Sequence, residues 1–255
     1  MMEYAIDMFA VDEIRLLTGQ SFDIGVGLTL RQPSMREIAM SGENEYIAAV
    51  NAFTAEPFDV PYYLAQLDID FEKVTPFQLF GLLVLSLPHQ STKLLFGDLD
   101  FSKFLLVESE NKGEYVYAHP NGIIIDSLTR ERIADNIRRM HGLPKNILKS
   151  CENKTAHDLM IYQQKKEIAR AQRRRELFGE QSAYGSLISS LASEWHSYDG
   201  VLDLKVGQFF DAVIRLGYKR QADNLCRGIY NGNISLKDIN KKDLDWMRPI
   251  KTKTL

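Results

Sequence analysis

Three residues, Asp100, Glu110 and Lys112, follow the order of a metal-dependent nuclease site, Asp…Glu-x-Lys. In such a site two carboxylates hold Mg²⁺ and a lysine stabilises the charge that develops during the reaction. However, the run Asn111-Lys112-Gly113 is typical of a hairpin turn, which would place Lys112 at an exposed tip. A three-residue pattern with loose spacing also arises often by chance. We therefore favour the turn and predict that the chain is not an enzyme.

Metal and nucleotide chemistry receive little support from residue spacing. No histidine has His, Cys, Asp or Glu four positions away, as a zinc-binding helix would require, and the group His157, Asp158 and Cys151 is irregular. The pair Gly25 and Gly27 lacks the third glycine of a dinucleotide-binding loop. The sequence contains neither a phosphate-binding Gly-x-x-x-x-Gly-Lys loop nor a Gly-x-Ser-x-Gly nucleophile elbow. We predict no metal, no cofactor and no small-molecule substrate.

The strongest charged feature is a basic segment over residues 165–175, in which Glu167 and the following Glu176 are the acidic interruptions. Its members are Lys165, Lys166, Arg170, Arg173, Arg174 and Arg175. A basic helix can neutralise nucleic-acid phosphates, but nucleic-acid binders usually interleave aromatic residues or carry a known module. We favour a helix that contacts an acidic protein surface, although a helix face that is merely solvated would fit the same residues. Nucleic-acid binding is the alternative function.

Charge is distributed unevenly along the chain. Residues 1–100 hold 15 acidic and 5 basic residues, whereas residues 101–255 hold 19 acidic and 26 basic residues. This asymmetry suggests an assembly element that docks on a partner or on a second copy, although solvation of both faces would explain it equally well. Near the C-terminus, Trp246 and Met247 could anchor a partner, because large side chains dominate protein contacts; alternatively Trp246 packs on its own domain.

Composition places the chain among ordinary globular proteins. It has 255 residues, of which 45% are hydrophobic and 25% charged, enough for a genuine core. No apolar run approaches the length of a membrane span, and Glu3 and Asp7 argue against a secretory signal. Cys151 and Cys226 are predicted to be free thiols in a reducing compartment. We predict a soluble intracellular protein.

Periodicity predicts an α+β fold that is mostly helical with a small antiparallel sheet. Residues 3–32 are β-like, with Val26, Leu28 and Leu30 alternating with polar or small residues. Four short β-rich runs, 93–96, 104–107, 115–118 and 122–125, form the predicted sheet. We predict an acidic α+β region over 1–150 and a basic helical region over 151–255, with a boundary in the polar segment 146–153.

Cap residues and apolar stripes predict the helices. Ser34 with Glu37 forms a capping box, and Thr75 precedes a proline in the first helical turn. Ser127 or Thr129 is expected to start a helix that ends at Gly142, and Thr155 with Asp158 is expected to start the basic one. Further helices are predicted over 43–53, 60–67 and 187–195, from residue 206, around 222–229, and after the cap signals Ser235 and Asn240.

Four segments of the chain form a recognisable pattern: Pro33-Ser34-Met35-Arg36-Glu37-Ile38, Gly42-Glu43-Asn44-Glu45-Tyr46, Thr75-Pro76-Phe77-Gln78-Leu79-Phe80 and Asn153-Lys154-Thr155-Ala156. This pattern resembles proteins of the tail and baseplate gene region of tailed bacteriophages. The ending Lys241-Lys242-Asp243-Leu244-Asp245-Trp246-Met247 resembles the C-termini of tail assembly chaperones. This resemblance is patchy and brings no catalytic residues. It implies binding to tail components, such as the tape measure or a baseplate subunit, in the host cytoplasm or the virion.

Overall fold

The computed structural model describes residues 8–109, 113–148 and 150–248 of the chain. Within these ranges the protein is an α+β fold that is mostly helical, as predicted. The α-helices are α1 (Met8–Thr18), α2 (Met35–Ser41), α3 (Glu43–Thr54), α4 (Pro61–Gln66), α5 (Pro76–Val84), α6 (His89–Phe96), α7 (Ser127–His141), α8 (Lys154–Phe178), α9 (Gly185–Trp195), α10 (Tyr198–Leu202) and α11 (Val206–Tyr230).

Two small antiparallel sheets accompany the helices. β1 (Phe22–Gly25) pairs with β2 (Leu28–Leu30), and the register shifts between Asp23 and Gly25. β3 (Leu105–Glu108), β4 (Tyr115–Ala118) and β5 (Ile124–Ile125) form the second sheet in that order, so β4 is central. β3 and β4 pair in antiparallel fashion, as the predicted sheet requires, whereas residues 110–112, which include most of the predicted turn, lie outside the described part.

The main core forms where α3 and α7 pack together, with α5, α6 and α11 around them. Aromatic rings dominate its centre: Phe53 contacts Phe80, Phe96 and Phe101 with centroid separations of 4.9–5.9 Å. Such edge and tilted contacts are favourable because the ring quadrupoles complement one another. The core draws buried residues from both sides of the predicted boundary, including Leu191, Ala192, Val201, Val206 and Phe209 from the second region.

Several predicted caps are confirmed at atomic detail. In α2, the Glu37 amide donates to Ser34 Oγ at 3.1 Å, and the Ser34 amide donates to Glu37 Oε2 at 2.7 Å. Thr75 and Gln78 form the same reciprocal box at the start of α5. Gly142 ends α7 in the left-handed conformation, with φ 62°. These signals predict well because a cap is made from residues only three positions apart.

The N-terminal prediction is wrong over residues 8–18, which form α1 instead of β structure. Among the described residues the first strand, β1, starts at Phe22, and Val26 lies in the turn between β1 and β2, with φ 51°. Residues 3–7, also predicted to be β-like, lie outside the described part. Residues 93–96 are likewise helical, forming the last turns of α6. In both cases the apolar residues fit the helical period of 3.6 residues as well as the two-residue period of a strand. For residues 93–96, packing against α3 favours the helix.

Other corrections concern where helices begin and end. Asp126, not Ser127 or Thr129, caps α7 by accepting the Thr129 amide at 2.7 Å. Asn153, not Thr155, caps α8 by accepting the Ala156 amide at 2.9 Å. The segments predicted as two helices after residue 206 form one 25-residue helix, α11. Gly217 lies between the two halves, but a single glycine lowers helix stability only by about 1 kcal/mol and does not end the helix.

Two buried arginines secure the C-terminal end of α3. Arg130 donates to the Ala55 carbonyl at 2.6 Å, and Arg138 donates to the Thr54 carbonyl at 2.5 Å. Both guanidinium groups also reach the buried Glu56 carboxylate, at 3.2 Å and 2.5 Å. The terminal carbonyls of a helix lack intrahelical partners, so these donors satisfy groups that would otherwise be buried unpaired.

Candidate functional site: the exposed basic helix

The first half of α8 is docked on the body of the protein. Met160 and Ile161 pack on a second small core, whose buried members are Ala55, Phe58, Leu64, Phe71 and Leu79. The side chain of Gln164 completes the attachment: its Oε1 accepts the Tyr62 amide at 2.7 Å, and its Nε2 donates to the Asp59 carbonyl at 2.5 Å. This side chain therefore satisfies a free amide at the start of α4.

Beyond Gln164 the helix leaves the body. Every residue from Lys165 to Phe178 is exposed, so this half of α8, termed here the basic arm, is solvated on all sides. The basic arm carries all six predicted basic residues, Lys165, Lys166, Arg170, Arg173, Arg174 and Arg175, and two acidic residues, Glu167 and Glu176. The structure thus places the six residues on one element, although around its circumference rather than on one face.

Few contacts within the chain neutralise this charge. Lys165 lies over the Tyr62 ring and Lys166 over the Tyr162 ring, each 5.9 Å from the centroid. Within the described residues no ion pair engages the guanidinium groups of Arg170, Arg173, Arg174 or Arg175. Their hydrogen-bond donors are free to meet carboxylates or phosphates.

The basic arm also exposes large apolar side chains. Leu177 is 67% and Phe178 66% exposed at its far end, and Ile168 is exposed nearer the body. A helix of this length is marginal in water without tertiary packing, since helical stability in proteins comes mainly from a buried face. An uncovered helix that combines guanidinium groups with Leu and Phe has the composition of a protein contact rather than of a solvated face.

The predicted anchor residues near the C-terminus lie on a different element. Trp246 follows a 3₁₀ turn, Lys241–Leu244, that packs against α11. It lines a groove of about 470 Å³ between α9 and α11, together with Leu191, Trp195 and Leu216. Trp246 remains 41% and Met247 68% exposed. Trp246 therefore contacts its own chain on one side and offers its other side to solvent, which combines the two alternatives that the sequence left open.

A third exposed surface, the outer strand β3, was not identified as a binding surface from the sequence. All four residues of β3 are exposed, so the strand is uncovered on both faces. Its apolar members are Leu105, Leu106 and Val107, and Tyr115 and Ile124 continue the exposed apolar surface on neighbouring strands. In the strand order β3-β4-β5, one edge of β3 has no strand beside it among the described residues. Such an edge can pair with another chain.

Three potential metal ligands converge at the base of α8. Asp70 and Glu72 lie in the segment before α5, and His157 lies in the first turns of α8. Their ligand atoms all lie within 4.8 Å of one another. The pKa of Asp70 is lowered because the Glu72 amide donates to its carboxylate and because Lys73 pairs with it at 3.2 Å. The sequence could not reveal this group, because 85 positions separate Glu72 from His157.

The nuclease-like pattern gains no support from Asp100. This carboxylate caps a 3₁₀ turn by accepting from the amide and the hydroxyl of Ser102, at 3.1 and 2.7 Å. It also pairs with Lys103 at 3.5 Å, and the Ser102 hydrogen bonds lower its pKa. Glu110 and Lys112 lie outside the described residues. Asp100 is thus occupied by local hydrogen bonds.

The most perturbed histidine, His141, lies in the core and not in a cleft. Its Nδ1 hydrogen-bonds the Ile137 carbonyl at 2.7 Å, which leaves Nε2 to accept from the Tyr46 hydroxyl at 2.9 Å. Burial lowers the pKa of His141 to about 4 and raises that of Tyr46. The hydrogen bond joins α3, which carries Tyr46, to α7, which carries His141. Both side chains are buried, so a substrate could not reach them.

Two general observations complete the site. Across the described ranges, no helix combines the length and the apolar character that crossing a bilayer requires. Cys151 and Cys226 are free thiols, as predicted.

Comparison with known proteins yielded no matching family model, no matching curated protein and no matching solved structure, so the residues themselves carry the functional argument.

Proposed function

We propose that this chain is a phage tail or baseplate assembly protein, a chaperone or minor structural subunit, that works by binding other tail proteins in the host cytoplasm. The observation that carries the proposal is the basic arm, a helix with uncovered arginines and exposed Leu177 and Phe178. The patchy resemblance to tail and baseplate proteins supplies the biological setting. The proposal includes no catalytic step and no cofactor.

The binding would combine steering and burial. The net positive charge of the basic arm attracts an acidic partner surface, which raises the association rate more than the final affinity. Burial of Leu177, Phe178 and neighbouring apolar atoms then supplies the lasting affinity. The uncovered edge of β3 and the half-exposed Trp246 offer further contact points, and they also allow self-association.

Purified tail proteins can test the proposal directly. Purified phage tail and baseplate proteins, including tape-measure proteins, are titrated against the chain by biolayer interferometry. We expect at least one to bind, and we expect the triple variant R173E/R174E/R175E to weaken that binding by about tenfold, equivalent to roughly 1.4 kcal/mol. Binding of the unmodified chain should weaken as salt is added, because exposed charges are screened.

A matched control is the triple variant R220E/R227E/K237E, which changes the net charge equally at three exposed positions outside the basic arm. It should leave the affinity within about twofold, because the three residues lie outside the basic arm and salt screens exposed charges. Failure of every tail protein to bind, or equal losses in both triple variants, would contradict the proposal. Mass spectrometry of purified particles would then show whether the chain stays in the virion.

Nucleic-acid binding is the second candidate, and the uncovered arginines of the basic arm are the observation that favours it. It predicts a steep linear fall of the logarithm of affinity with the logarithm of salt concentration in a filter-binding titration. The same R173E/R174E/R175E variant should abolish retention. Absence of retention at low salt would remove this candidate and leave the proposed protein contact unaffected.

A further inference from the structure

We infer that Asp70, Glu72 and His157 form a binding site for a divalent transition-metal ion of the zinc type, independently of the proposed function. The three side chains come from two segments far apart in the sequence and bring one imidazole nitrogen and two carboxylate oxygens together. This donor set suits Zn²⁺, which binds nitrogen and oxygen ligands, better than Mg²⁺ or Ca²⁺, which prefer oxygen alone.

One pair of ligand atoms already has the spacing of a tetrahedral site, and all three lie within 4.8 Å of one another. His157 Nε2 and Asp70 Oδ1 are 3.5 Å apart. With ligand bonds of about 2.0–2.2 Å, two ligands of a tetrahedral zinc ion stand about 3.3–3.6 Å apart. Asp70 and His157 therefore need little movement. Glu72 is exposed, so its side chain can rotate toward the ion, and a water molecule would complete the coordination.

The surroundings hold the imidazole in place. The His157 ring stacks on the buried Phe71 ring, with centroids 4.5 Å apart and planes inclined by 13°. Its Nδ1 faces the Asp158 carboxylate at 3.3 Å, so the nitrogen opposite the proposed ligand atom has an acidic partner. A carboxylate on the second ring nitrogen is the usual companion of a metal-bound histidine, because it fixes the ring orientation.

The remaining groups around the site are consistent with a cation. One Glu72 oxygen accepts the Cys151 amide at 2.6 Å, which leaves the other oxygen for a ligand bond. Lys73 pairs with Asp70 Oδ2 at 3.2 Å, on the carboxylate oxygen that does not face His157. Lys73 is largely exposed and can turn into solvent when an ion binds. The Cys151 thiol lies next to these residues but contributes no atom to the group of three.

The site has a structural consequence for the basic arm. Asp70 and Glu72 belong to the body of the protein, whereas His157 lies in α8, which has no buried residue. An ion held by all three would join the helix to the body, in addition to Met160, Ile161 and Gln164. Metal binding would therefore fix the direction in which the basic arm projects and stabilise the folded chain by mass action.

The test uses the full chain, first treated with a chelator and then titrated with zinc chloride in a calorimeter and with Co²⁺ in a spectrophotometer. We expect one ion per chain and a visible Co²⁺ absorption typical of low coordination number. E72Q and H157Q should each weaken zinc binding by at least about tenfold. E72Q changes an exposed side chain, so it keeps the test informative if H157Q fails to fold.

E152Q is the matched control, because it removes an equal charge from an exposed residue next to the site without touching a ligand. Its zinc affinity should stay within about twofold of that of the unmodified chain. The inference is overturned if zinc fails to bind, or if E72Q and H157Q bind zinc as tightly as E152Q does. Neither result would bear on binding to tail proteins, so the two proposals can fail separately.

Discussion

Arginines of α7 and α8 show how differently the same side chain behaves in two regions of this protein. In α7, Arg130 and Arg138 are only 2% and 4% exposed and meet Glu56 and the end of α3. In α8, Arg173, Arg174 and Arg175 are exposed and have no ion-pair partner within the described residues. Burial makes the first pair indispensable to the fold, whereas solvation leaves the second group available for contacts with other molecules.

The largest expected effect comes from removing the shared carboxylate of the buried cluster. E56A removes the buried carboxylate that pairs with both guanidinium groups and leaves them the more exposed Glu131 and Asp135, which should lower the free energy of unfolding by about 3 kcal/mol. Urea denaturation followed by circular dichroism measures this loss. E176A, in the basic arm, is the control and should stay within about 0.5 kcal/mol. Equal stability of the two variants would remove the contrast between the regions.

The next effect is a pH dependence confined to the buried region. The pKa of His141 falls from its usual 6.5 to about 4 on folding, so the unfolded chain binds a proton more readily. The contribution of neutral His141 to the free energy of unfolding is fully present above pH 6.5. It is lost as the pH falls toward 4, and the total loss is about 3 kcal/mol. Urea midpoints at pH 7, 5.5 and 4.5 should decrease in that order.

The variant H141Q separates this contribution from that of the carboxylates. Glutamine does not titrate, so the slope of stability between pH 6.5 and 4.5 should become shallower than in the unmodified chain. R173Q/R174Q/R175Q, which alters only exposed residues of α8, should keep the original slope. A slope unaffected by H141Q would show that His141 is not the group that titrates.

A smaller effect is expected at the start of α8. N153A removes the side chain that accepts the Ala156 amide, which should cost about 1 kcal/mol. The loss should appear as faster amide hydrogen exchange in the first turns of α8, ahead of any change in α7. T155A is the control, because Thr155 was predicted to cap this helix but lies inside it. A greater loss in T155A would restore the original assignment.

The smallest effect on stability is expected in the basic arm itself. R173Q/R174Q/R175Q keeps residues of good helix propensity and removes no ion pair recorded in the described structure, so unfolding should change by less than about 0.5 kcal/mol. Thermal and urea denaturation measure it. A loss above about 1 kcal/mol would mean that these arginines support the fold, and that their exposure does not mark a binding surface.

Sequence reasoning recovered the candidate site only in part. The six basic residues and the helix that carries them were predicted, because charge and helix caps are local properties. The exposure of these residues beyond the body of the protein was not predicted, because it depends on where Gln164 contacts Tyr62 and Asp59. The exposed strand β3 shows the same limit: its pairing with β4 was predicted, but its lack of cover was not.

The sequence by itself determined the features that rest on neighbouring residues. The caps at Ser34 and Thr75 and the helix end at Gly142 follow from interactions within about one helical turn. Only the tertiary structure decided which arginines are buried and that Asp70 meets His157. These outcomes depend on packing between segments tens of residues apart, where no local spacing rule constrains the distance.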